Sequence, residues 1–87
     1  MDELIGRTIV VDTQASYVYV GVLERTTADA LVLGDVDAHD LRDTPNATRE
    51  QYLVRCRELG VVVNRTRVWI ARGQVVSVSP LDDIVVR

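Results

Sequence analysis

Eighty-seven residues make a single domain, because a chain this short cannot divide its apolar residues between two cores and still offset the entropy of ordering both. Hydrophobic residues supply 47% of the chain, yet Phe is absent and there is one Trp, so the core has to be built from Val, Leu and Ile, residues that favour strands. The net charge of −3 hides an uneven distribution, since residues 1–40 hold two Arg against eight acids and residues 41–75 hold seven Arg against three, which puts any anion-binding surface in the second half.

In chain order, residues 7–12 are short, β-branched and bounded by Gly6 and the polar stretch Thr13-Gln14-Ala15-Ser16, which reads as a strand and a turn. Residues 17–25 form a second strand interrupted by Gly21, and glycine inside a strand marks a sharp bend where a sheet curls. Ala30-Leu31-Val32-Leu33 completes a three-stranded meander. The middle changes character: Thr44-Pro45-Asn46-Ala47-Thr48 gathers turn and cap residues, followed by a helix expected over about residues 46–59. Thr48-Arg49-Glu50-Gln51 fits a capping box, Tyr52, Cys56 and Leu59 share one face, and Gly60 supplies a left-handed C-terminal cap. Residues 66–71 and 74–79 are two further strands around the turn residue Gly73, and Pro80 ends the last.

Two stretches carry a resemblance to the Sm-like (Lsm) family. Leu4-Ile5-Gly6-Arg7-Thr8-Ile9-Val10-Val11, Tyr19-Val20-Gly21-Val22-Leu23 and Leu31-Val32-Leu33-Gly34-Asp35 resemble its first motif; Val68-Trp69-Ile70-Ala71-Arg72-Gly73-Gln74-Val75-Val76-Ser77-Val78-Ser79-Pro80 resembles its second. Together they cover roughly two thirds of the chain. The resemblance implies a mainly β fold over residues 1–87, a small five-stranded, strongly bent antiparallel barrel, with residues 36–63 forming an insertion that contains the helix. It also implies a homo-oligomeric ring of about six or seven subunits, in which the fourth strand of one copy pairs with the fifth of the next. Val68, Trp69, Ile70, Val75, Val76 and Val78 are the residues assigned to that seam.

RNA is the partner the resemblance suggests, through Arg72, Gly73 and Arg67, with Tyr17, Tyr19 or Tyr52 available to stack a base. The Asp-x-x-x-Asn pattern of uridine-binding members falls here on Thr26 and Ala30, so the pocket is altered. The other reading is a structural ring that organises protein partners through the inserted helix, without nucleic acid. Asp35, Asp37 and His39 alternate and would share one face of an extended segment, as metal ligands or acid–base groups do; set against that, no second histidine exists to complete a transition-metal site. No cofactor is implied. A catalytic role is not expected either, as Cys56 lies mid-helix on the apolar face and the serines lack a nucleophile-elbow pattern. A lone cysteine, the absence of any run of about 20 apolar residues and a start without signal-peptide character lead to the expectation of a cytoplasmic chain with no membrane association.

Overall fold

The computed structural model describes residues 1–43 and 47–86. Five strands, β1 (Thr8–Thr13), β2 (Tyr17–Thr26), β3 (Ala30–Asp40), β4 (Arg65–Ala71) and β5 (Val75–Pro80), form one antiparallel sheet in the order β4-β3-β2-β1-β5. One helix, α1 (Arg49–Leu59), lies between β3 and β4 in sequence. The expected fold class is the one found, a mainly β domain with a strongly curled five-stranded sheet, consistent with a small Sm-like barrel.

The curl comes with three register shifts, two between β2 and β3 and one between β1 and β5 at Asp12/Thr13. Between Val20↔Asp37 and Val22↔Gly34 the register gains one residue on β3, and between Leu23↔Leu33 and Arg25↔Val32 it gains one on β2. Each bulge bends its strand and adds local twist. Gly21 sits at the first of them, where a Cβ would lie 2.9 Å from both the Gly34 carbonyl oxygen and Val36 Cγ2. The bend therefore requires a residue with no side chain. Opposite it, Asp35 takes φ 49°, a left-handed conformation that Asp tolerates better than most residues.

Inside the curl, Ile9, Val11, Leu23, Leu31, Leu33, Val36 and Ile70 form the inner core. The outer face of the sheet carries a second cluster, in which Val10, Val18 and Val20 pack against Tyr52, Leu53 and Cys56 of α1 and against Leu81. β1 is consequently buried on both faces, which explains the near-continuous run Ile9-Val10-Val11. The helix lies flat on the outside of the sheet. Its start is fixed by the capping box: Thr48 accepts from the Gln51 backbone N–H, and the Gln51 side chain accepts from the Thr48 N–H.

Three local expectations change. The third strand does not stop at Leu33 but runs to Asp40, so residues 36–40, read as the start of the insertion, belong to the sheet. The buried helix positions are Tyr52, Leu53 and Cys56, while Leu59 is exposed. Gly60 does take a positive φ of 94°, but its ψ of 169° makes it an extended exit rather than a left-handed helical one, and its N–H still reaches the Cys56 carbonyl. Of the turn cluster at 44–48, residues 44–46, including the expected helix start, lie outside the described residues.

Candidate functional site

Two features stand out: the edges of the sheet, and a cavity beneath the helix. β4 hydrogen-bonds only to β3 and β5 only to β1, so each presents one row of backbone donors and acceptors along a border of the sheet. The six residues assigned to a seam divide along these borders. Ile70 is buried in the inner core of its own subunit, and Val68, Val75 and Val78 are partly buried against that core. Trp69 and Val76 point away from it, 57% and 64% exposed. An indole on one edge and an isopropyl group on the other thus leave more than half of their surface in water.

The three residues expected at an RNA pocket are tied into the subunit by different anchors. Arg67, mid-β4, reaches across β3 to Glu24 with Nε 2.6 Å from Oε1, and this guanidinium holds the Glu24 carboxyl below its ordinary range. Arg72, in the 3₁₀ turn after β4, donates from Nε to the Thr27 carbonyl at 2.7 Å, and its backbone N–H goes to the Asp29 carbonyl. The Gly73 carbonyl accepts from Gln14 Nε2. The turn that carries Arg72 and Gly73 is thus stapled to the β2–β3 and β1–β2 turns. Tyr17 and Tyr19 stack on each other with centroids 5.8 Å apart, whereas Tyr52 is buried under the helix.

The cavity lies where α1 crosses the end of β3, encloses about 350 Å³ and is lined by Asp37, His39, Gln51, Tyr52, Arg55 and Cys56, with Val62 from the connector. The bulge at Asp35 decides what enters it. By shifting the alternation it turns Val36 inward, leaves Asp35 exposed, and places Asp37 and His39 on the outer face beneath the helix. Asp37 accepts from the Tyr52 hydroxyl at 2.6 Å and from Asn64 Nδ2 at 3.0 Å. Asn64 also accepts from the Ala38 N–H and donates to the Ala38 carbonyl, fixing the connector before β4. The His39 ring stacks on Tyr52 with centroids 3.9 Å apart and planes within 5°.

Burial and the bond to Asp37 push the Tyr52 hydroxyl far above its ordinary value, and burial raises the Cys56 thiol as well. Both groups therefore stay protonated at neutral pH, and Cys56 is no thiolate nucleophile. Among the described residues, no three His, Cys, Asp or Glu side chains come together as a metal site would need. Asp37 and His39 were visible in the sequence as alternating polar residues. Tyr52 was read as a member of one helix face and as a ring available to stack a base, and Asn64 was missed, because their polar roles appear only when α1 and the connector before β4 are brought onto the end of β3.

The chain matches no family model and no curated protein.

Proposed function

We propose that this chain is a divergent Sm-like subunit that assembles with copies of itself into a closed ring, acting as a structural and protein-interaction module rather than as an enzyme. The observation that carries the reading is the strand order β4-β3-β2-β1-β5, which leaves two open borders at opposite ends of one curled sheet. Pairing β4 of one copy with β5 of the next satisfies both rows of backbone groups, and a heterologous contact repeated by a rotation that divides a full turn evenly closes into a ring. Trp69 and Val76, exposed on those two strands, would lose water in the same step. By resemblance the ring has about six or seven members.

Support for a role without nucleic acid comes from the arginines. Arg67 is neutralised by Glu24, Arg72 is committed to a backbone carbonyl of its own subunit, and the chain as a whole is acidic. Two of the three residues expected at a phosphate-binding pocket are thus engaged within the subunit, which favours a scaffold over a polyanion binder. The test is the mass of the purified particle by light scattering, together with its ultraviolet absorbance ratio. A discrete particle of several copies free of nucleic acid is expected. A monomer would overturn the ring, and salt-sensitive binding of a uridine-rich oligonucleotide would overturn the scaffold role in favour of RNA binding.

A further inference from the structure

The cavity under α1 brings together a buried carboxylate, Asp37, and an exposed guanidinium, Arg55, neither of them ion-paired among the described residues. Asp37 is 9% exposed, and its two hydrogen bonds come from neutral donors, the Tyr52 hydroxyl and the Asn64 amide. It forms no ion pair among the described residues. Carboxylates are rarely buried unless a cation compensates them. Each carboxylate oxygen has two lone-pair directions, and each oxygen here uses one, so both keep room for a further donor.

Arg55 lines the same cavity from the helix, and among the described residues it too has no acidic partner. Its placement follows from helical spacing: Tyr52, Arg55 and Cys56 stand at i, i+3 and i+4 and so project along one side of α1. The rest of the wall is mixed: the Tyr52 ring, the Cys56 thiol and Val62 are apolar or aromatic surface, and the His39 imidazole and Gln51 amide are polar. A volume of about 350 Å³ falls at the small end of ordinary ligand pockets.

We propose that this cavity binds a small zwitterion, an amino-carboxylate whose ammonium group meets Asp37, whose carboxylate meets Arg55 and whose methylenes lie against Tyr52 and Val62. An ammonium group supplies the cation that Asp37 lacks, and its three donors can use the open lone pairs. The guanidinium fork of Arg55 suits a carboxylate. The two protein charges compensate the two ligand charges, so neither molecule brings a net charge into the cavity. This assignment does not depend on the ring, because every residue that lines the cavity belongs to one subunit, on the end of β3, on α1 and on the segments flanking α1.

The test is calorimetric titration of the purified full chain with two isomers, L-norleucine, whose charges are adjacent, and 6-aminohexanoate, whose charges are separated. Pentylamine and hexanoate serve as controls with one charge each. One isomer is expected to bind at least about tenfold more tightly than both controls, since each charge-assisted contact is worth a factor of that order. Arg55→Gln, on an exposed helix position, is expected to bring that isomer down to the affinity of pentylamine while leaving pentylamine unchanged. Asp37→Asn should do the converse for hexanoate. Absence of binding by both isomers at millimolar concentration, a control that matches them, or an Arg55→Gln variant with undiminished affinity would each overturn the proposal; the last holds even if Asp37→Asn fails to fold.

Discussion

Asp40 shows how much one side chain depends on its neighbours. At the end of β3 it is nearly buried, and its carboxylate takes Arg42 Nη2 at 2.7 Å, Arg42 Nε at 3.1 and 3.2 Å, and the Arg42 backbone N–H at 3.0 Å. Those bonds hold its carboxyl well below the usual carboxylate range. A carboxyl depressed in the folded state contributes stability that is present above its unfolded value, about 4, and is lost as pH falls through its lower folded value. Asp40→Asn is therefore expected to lower the urea midpoint at pH 7, and the gap from the parent chain should close as pH falls below about 4. A gap constant across that range would show that the carboxylate's charge is not what stabilises the strand end. The pair was legible in the sequence only as an acid near an arginine. Asp35 was less legible still: its left-handed backbone is imposed by the bulge, and nothing in the local residues Gly34-Asp35-Val36 announces which strand will carry the extra residue.

Among the elements, α1 was the easiest to read and the hardest to orient. Its start was visible because the capping box is a local device, a threonine and a glutamine three residues apart that satisfy each other's backbone donors. Thr48→Ala removes the side-chain acceptor for the Gln51 N–H and should cost about 0.5–2 kcal/mol. In a domain of this size each kcal/mol shifts the melting temperature by about 4–8 °C, a change that circular dichroism resolves, and Thr48→Ser should restore most of it. An unchanged melting temperature in Thr48→Ala would mean that the Arg57 contact to the Ile84 carbonyl and the packing of Leu53 hold the helix without its cap. The buried face was misjudged by one position, Leu53 in place of Leu59, because the sheet surface that receives the helix is curved and contacts only its first two turns. β3 was cut short for a related reason. Its polar half looks like a loop until α1 is laid over it, and only then do Asp37 and His39 become the floor of a partly open cavity.

For the molecule as a whole, the bent meander at one end of the chain and the strand pair at the other were enough to anticipate a single curled sheet, since both are patterns of β-branched residues punctuated by glycine. Which strands end up at the borders is a property of the assembled sheet, and there the consequences for assembly can be tested separately from folding. Trp69 and Val76 are exposed in the single subunit, so replacing them should cost its own fold little. A charge on an edge strand, by contrast, blocks the addition of another strand, because pairing would strip water from it. Val76→Lys on β5 and Trp69→Lys on β4 are each expected to retain the far-ultraviolet spectrum of a β protein while the scattering mass falls to that of one chain. Because the proposed contact is heterologous, either variant alone should suffice, and mixing the two should regenerate at most a heterodimer: β4 of Val76→Lys would meet β5 of Trp69→Lys, and the two edges left over would both carry a lysine and repel. Variants that keep the parent mass would place the self-contact elsewhere on the surface. A mass that grows without limit as concentration rises would mean that the rotation between neighbours does not close, giving a filament in place of a ring.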